Sequence, residues 1–146
     1  MNNKIVIING PNLNLLGERE QSQYGSTTFD DLKENCLKKI NEFKMEAEFF
    51  QSNIEGEIVD YIQNLINNEN SSVVINPGAY THTSIAIRDA LQTYSQNNDI
   101  VEVHISDINQ REQFRKTNLI SDISNKSIIG KGVQGYIEAL EYINEQ

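Results

Sequence analysis

The sequence predicts an α/β fold, a doubly wound parallel sheet of five strands, and three observations predict it. Short apolar, β-branched runs alternate with helix-period stretches from end to end, which is the signature of a parallel sheet covered on both faces. Each run is only a few residues long, the length of a buried strand. Right-handed crossovers with helices on both faces then lead most simply to the strand order 2-1-3-4-5, the flavodoxin-like arrangement.

Lys4–Asn9 (KIVIIN) reads as the first strand. After it comes a polar, irregular loop, Glu18–Thr27, with glycines at Gly17 and Gly25, and loops of this length often serve as lids. Phe29, Leu32, Cys36, Ile40 and Phe43 then recur at helical spacing, before a second strand at Glu46–Ser52. Ile58, Ile62 and Leu65 mark the next helix, Ser72–Asn76 the third strand, and Ile85, Ala86, Ala90 and Tyr94 a helix behind it. Ile100–Ser106 and Ser127–Ile129 supply the last two strands, and Ile137, Leu140 and Ile143 the closing helix.

A chain of 146 residues is expected to form one domain, residues 1–146, and to bury about two-thirds of its unfolded surface, so one core suffices without staples. Cys36 is the sole cysteine, which excludes an intramolecular disulfide or a cysteine metal cluster and suits a reducing compartment; it reads as a buried thiol. Twelve basic residues against 21 acidic ones give a net charge of −9, the wrong sign for broad nucleic-acid binding. No apolar run approaches the roughly 20 residues of a membrane span, and the N-terminal stretch lacks a signal peptide's apolar region. A soluble, cytoplasmic protein is expected.

Ligands of open α/β sheets sit beyond the carboxyl ends of the strands. There the sequence places Asn9–Asn14 after the first strand, Asn76–His82 after the third, and His104-Ile105-Ser106 at the end of the fourth. Both histidines of the chain, His82 and His104, fall on this rim. Period-two spacing puts Glu102 on the side of His104, and a glutamate inside a buried strand is costly unless paired. Such a carboxylate favours the imidazolium and makes His104 a candidate general acid; an ordinary strand-end ion pair is equally compatible with these two residues. Of four arginines, Arg19 lies in the candidate lid and Arg111 and Arg115 follow the fourth strand, a gathering that suits a small anion. Arg88 reads as a solvated surface residue. Tyr24 shares the lid with Arg19. A phenol is a poor base unless a cation stabilises its phenolate, so this pair is either a catalytic base and its activator or a partly buried anchor.

Gly130-Lys131-Gly132-Val133-Gln134-Gly135 matches the dinucleotide fingerprint G-x-G-x-x-G. That fingerprint needs a further strand with an acidic residue about 20 positions on, which the remaining sequence does not provide. The glycines read better as allowing the last helix to pack closely on the sheet. A phosphate-accepting receiver module would need clustered acids where this chain has asparagines. A flavin carrier would need a Ser/Thr-rich loop in place of Pro11-Asn12-Leu13-Asn14-Leu15-Leu16-Gly17.

Three blocks remain to be explained together: Ile8–Glu20 with Tyr24-Gly25, then Asn76–Ser84 with Arg88-Asp89-Ala90, then Glu102–Ser106 with Arg111–Arg115. In this order they closely resemble type II 3-dehydroquinate dehydratase across nearly the whole chain. The resemblance implies a lyase that reversibly dehydrates 3-dehydroquinate in the shikimate pathway, through an enolate and with no cofactor and no metal. It implies Tyr24 as base, Arg19 as the group stabilising transition-state charge, His104 as acid with Glu102 behind it, and Asn12 at the reacting centre. It further implies that Asn76, His82 and Arg115 hold substrate hydroxyls and that the backbone amides of Ile105 and Ser106 take the carboxylate. Asp89 is also a substrate contact in the family. Seven positions along a helix separate it from His82 by about 10 Å, a long reach for one small molecule. The family's homo-oligomer, trimers packed into a dodecamer, answers this by letting Asp89 serve a neighbour's site. No nucleic acid and no membrane are implied. The alternative from another class is a non-catalytic, flavodoxin-like module that binds a small anion.

Overall fold

The structure is a computed structural model and describes residues 3–68 and 70–146. Five parallel strands, β1 (Lys4–Asn9), β2 (Glu46–Gln51), β3 (Ser71–Asn76), β4 (Asp99–His104) and β5 (Lys126–Ile129), form one sheet in the order β2-β1-β3-β4-β5. Among the described residues five α-helices accompany them: α1 (Gln21–Tyr24), α2 (Phe29–Glu42), α3 (Glu55–Leu65), α4 (Ile85–Tyr94) and α5 (Gln134–Asn144). The doubly wound architecture and its strand order are those the sequence predicts.

Side-chain alternation along each strand divides the core into two layers. Ile5, Ile7, Val74, Val101, Val103 and Ile128 face α2 and α5, against Leu32, Cys36, Ile40, Tyr136 and Leu140. Val6, Ile8, Val73, Ile75 and Ile100 face the other way, onto Ile58 and Ile62 of α3 and Ile87, Leu91 and Tyr94 of α4. This double coverage explains why the central strands read as largely apolar runs. Each fully buried isoleucine contributes roughly 1.5–3 kcal/mol, so these layers, more than any polar contact, hold the sheet together. Cys36 is buried in the first layer, where burial pushes its thiol up to about 12 and leaves it inert.

The larger differences from the predicted elements lie at the carboxyl rim. β4 ends at His104 and not at Ser106, because the His104 carbonyl accepts from Gly130 N and the next carbonyl, Ile105, accepts from Gly132 N. Two successive carbonyls pointing the same way are incompatible with a strand. β2 stops at Gln51, one residue short of the predicted Ser52, and β3, β4 and β5 each begin one residue earlier than predicted. The expected loop Glu18–Thr27 contains the short helix α1, and Thr28 closes it with a capping box: its hydroxyl accepts from Asp31 N while Thr28 N donates to the Asp31 carboxylate. The stretch from His82 to Asp89 is not one helix. A 3-10 turn, Gly78–His82, ends at Thr83, and α4 starts afresh after Ser84, whose hydroxyl caps Ile87 N. Between β4 and β5 the chain runs through three further 3-10 turns, Ile108–Gln110, Gln113–Lys116 and Ser121–Ile123.

Register then aligns the rim. Asn9 stands opposite Gln51 on one side and Asn76 on the other, so three polar strand ends lie side by side. The loops beyond β1 and β3 touch backbone to backbone: a Cβ on Gly10 would sit 2.2 Å from the Pro77 carbonyl oxygen, and one on Gly78 would sit 3.1 Å from that of Pro11. Only glycine permits this approach at position 10.

Candidate active site

The rim encloses a cavity that is open to solvent. Its walls come from all the loops singled out by the sequence: Asn12 after β1, Arg19 and Tyr24 from the lid, Asn76 and His82 after β3, and His104, Ile105, Ser106, Arg111 and Arg115 from β4 onward. Three of the chain's four arginines therefore face one cavity, and among the described residues no acidic side chain lines it.

Tyr24, at the end of α1, is almost wholly buried. The Arg19 guanidinium lies 3.9 Å from its ring centroid and donates from Nη2 to its hydroxyl oxygen at 2.9 Å. Arg111 donates to the same oxygen from Nη1 at 2.5 Å and reaches the Ser106 hydroxyl at 3.3 Å. Both guanidinium groups thus donate to one phenol oxygen. Arg111 is the group that sequence reasoning placed on the rim without giving it a site role. It lies 87 positions from Tyr24, and only the fold brings the two together.

His104 closes the same cavity. Its Nε2 lies 2.6 Å from Glu102 Oε2, deep in the sheet. Glu102 is fully buried and does not itself reach the cavity, so its part is to hold His104. Its carboxylate also accepts from Asn118 Nδ2 on Oε2 and from the Ser121 and Ser127 hydroxyls on Oε1. Burial pushes the Glu102 carboxyl up, but the His104 bond and charge, with the two hydroxyls, outweigh it and hold the group at about 2. With Nε2–H committed to a carboxylate, Nδ1 is the His104 nitrogen left to serve the cavity.

His82 has the opposite tautomer. Its Nδ1 lies 2.7 Å from the Thr117 carbonyl, which only accepts, so the neutral ring carries its proton on Nδ1 and offers Nε2 as an acceptor. Burial, and then the charges of His104, Arg115 and Arg111, lower its pKa against the pull of that carbonyl. Arg115 is tied to Glu112 by Nε at 2.8 Å. Asn12 is held by the end of β2: its N–H donates to Asn53 Oδ1, which also accepts from Gln51 Nε2, while Gln51 Nε2 reaches the Gly10 carbonyl as well. Asn53 and Gln51 are supports that no sequence pattern announced.

The glycine-rich loop after β5 has a defined part in this site. Because a trans peptide points its C=O and N–H in opposite directions, the two carbonyls drawn toward Gly130 and Gly132 leave the N–H groups of Ile105 and Ser106 directed away from that loop, toward the β3 side. Adjacent amides pointing the same way form an anion-binding concavity. Close packing on the sheet, expected of all three glycines, is the role of Gly135 alone: a Cβ there would meet Ile128 at 3.3 Å and Val103 at 3.4 Å. Gly130 and Gly132 instead adopt left-handed φ values of 78° and 62°.

Two further residues lie outside the cavity. Asp89 is exposed and lines a groove between α3 and α4 with Val59, Gln63 and Ile66, apart from the cavity. Arg88 is not a free surface cation; it grips Asp122 with both terminal nitrogens, at 2.5 and 2.9 Å, and donates to the Leu119 carbonyl.

Residues 3–144 match the family described as Dehydroquinase class II. Among curated relatives, the 3-dehydroquinate dehydratase of Caldicellulosiruptor saccharolyticus is 49% identical over 142 residues, covering 97% of each chain. Among solved structures, the type II dehydroquinase of Butyrivibrio crossotus superposes with a TM-score of 0.93 at 44% identity, covering 98% of each chain. That of Propionibacterium acnes gives a TM-score of 0.93 at 37% identity, covering 100% of this chain and 99% of the other. With the match running almost from end to end, the chain belongs to the class II dehydroquinase family.

Proposed function

We propose that this chain is a hydro-lyase that reversibly dehydrates 3-dehydroquinate to 3-dehydroshikimate within the shikimate pathway. The observation that carries the reading is the Tyr24 oxygen held by Arg19 and Arg111 in a cavity that His104, backed by Glu102, also lines. The substrate is a β-hydroxy ketone bearing a carboxylate. Its dehydration needs a base for the proton beside the carbonyl, stabilisation of the enolate, and an acid for the departing hydroxyl.

In this reading the Tyr24 phenolate removes the carbon-bound proton, and Arg19 and Arg111 spread the charge that base and enolate share. His104 delivers its Nδ1 proton to the leaving hydroxyl, which departs as water, while Glu102 keeps the ring oriented. Asn12 attends the enolate oxygen. Asn76, the Nε2 acceptor of His82, and Arg115 hold hydroxyls, and the Ile105 and Ser106 amides take the carboxylate. All these roles use groups of the chain itself.

The chain works as a single catalytic domain in the cytoplasm, and as a homo-oligomer, a dodecamer of trimers in which Asp89 reaches a neighbour's site. Among the described residues no helix is long and apolar enough to cross a membrane. Mixing the purified chain with 3-dehydroquinate tests the activity, since the conjugated enone product absorbs in the ultraviolet. Growth of that absorbance supports the lyase; a flat trace leaves the small-anion-binding module in its place. Light scattering tests the assembly, and a monomer with full activity would defeat it.

A further inference from the structure

Behind the cavity wall, a chain of side chains runs from one backbone group to another. The Phe50 carbonyl accepts from Asn9 Nδ2 at 3.3 Å, Asn9 Oδ1 accepts from the Tyr136 hydroxyl at 2.7 Å, and the Tyr136 oxygen accepts from Asn76 Nδ2 at 3.1 Å. Finally Asn76 Oδ1 accepts from Gly78 N at 3.1 Å. Both ends are of fixed polarity, since a carbonyl can only accept and an amide N–H can only donate. The orientation of both asparagine amides follows from this, because reversing either one would set donor against donor or acceptor against acceptor. Asn9 and Asn76 are register partners on β1 and β3, and Tyr136 reaches both from the first turn of α5.

From this geometry we infer that Tyr136 is a positioning residue for the ligand contact of Asn76: its hydroxyl fixes which end of that amide the substrate meets. Asn76 lines the cavity, whereas Tyr136 does not and is wholly buried. Burial pushes the phenol far up, so the hydroxyl keeps its proton, and its direction toward Asn9, at any working pH. Loss of the hydroxyl frees one of the two anchors of the Asn76 amide and strands the Asn9 oxygen, while the ring's packing survives. The inference rests on the proposed dehydration for its kinetic readout.

Tyr136→Phe tests it, with kcat and KM for 3-dehydroquinate measured beside the wild type, Asn76→Ala, and the double variant. The expected result for Tyr136→Phe is a KM raised about tenfold, the worth of one ordinary hydrogen bond, with kcat within about twofold. In the Asn76→Ala background the same change should move KM by less than about twofold, because the hydroxyl then has nothing to position. An unchanged KM in Tyr136→Phe, or effects that multiply in the double variant, overturns the inference while leaving the lyase intact. A wild-type chain inert toward 3-dehydroquinate overturns both. Should Tyr136→Phe not fold, proton NMR of the wild type decides: the relay requires a slowly exchanging Tyr136 hydroxyl proton with an Overhauser contact to the Asn76 side-chain amide, and exchange at solvent rates overturns it.

Discussion

Replacing Glu102 with glutamine removes one charge from the interior and leaves the shape of the side chain unchanged. The carboxylate accepts four hydrogen bonds, from His104, Asn118, Ser121 and Ser127. A glutamine offers one oxygen, so two of those donors lose their acceptor. The fall in pKa from 4.5 to about 2 corresponds to roughly 3 kcal/mol of stability, at about 1.4 kcal/mol per pH unit. Because the folded-state value is depressed, that stability is fully present above about pH 4.5 and is lost as the pH falls through about 2. Glu102→Gln has no such proton to take up. Urea denaturation of both proteins from pH 6 down to 2 should therefore show a wild-type advantage that shrinks by about 3 kcal/mol across this window. A gap that stays constant with pH refutes the argument that the carboxylate is held ionised by its donors.

Tyr24→Phe should lower kcat by about 100-fold or more with an unchanged circular dichroism spectrum, and near-normal turnover would remove Tyr24 as the base. Arg111→Ala, which takes one of two cations from the phenol oxygen, should cost about 100-fold in kcat; if only KM moves, Arg111 is a binding group. Gly10→Ala drives a Cβ toward the Pro77 oxygen and should destabilise the chain by about 1–3 kcal/mol, read as a lower melting temperature. The His82 ring, followed by proton NMR and assigned with His82→Asn, should titrate with a midpoint below 6.5. A midpoint above that value contradicts the burial and cationic surroundings described for it.

Much of this fold could be read in the chain because the central strands β1, β3 and β4 are buried on both faces and the long helices on one. Ile5 to Ile8 form a continuous apolar run, and Ile58, Ile62 and Leu65 form a stripe; the two patterns need no tertiary context. The rim residues were legible for a related reason, since polar groups placed directly after apolar strands have one place to go. What escaped depends on long-range geometry. Nothing local to Arg111 says that it will meet Tyr24, and nothing local to Ile105 says that its carbonyl will turn to Gly132 and end the strand. The interruption at Thr83 and Ser84 was visible only as a capping serine, which the helix periodicity around it masked. In the glycine-rich loop, expected to pack closely on the sheet, Gly130 and Gly132 adopt left-handed backbone conformations and only Gly135 packs on the sheet.

The contact between the first two rim loops has a consequence for engineering. Gly10 lies under Pro77 and Gly78 lies against Pro11, so each loop supplies both the gap and the proline backbone that fills the other's gap. Neither can be exchanged by itself. A chimera carrying a homologue's β1 loop would have to import the matching β3 loop in the same step, and the two segments, more than sixty residues apart, behave as one inherited part.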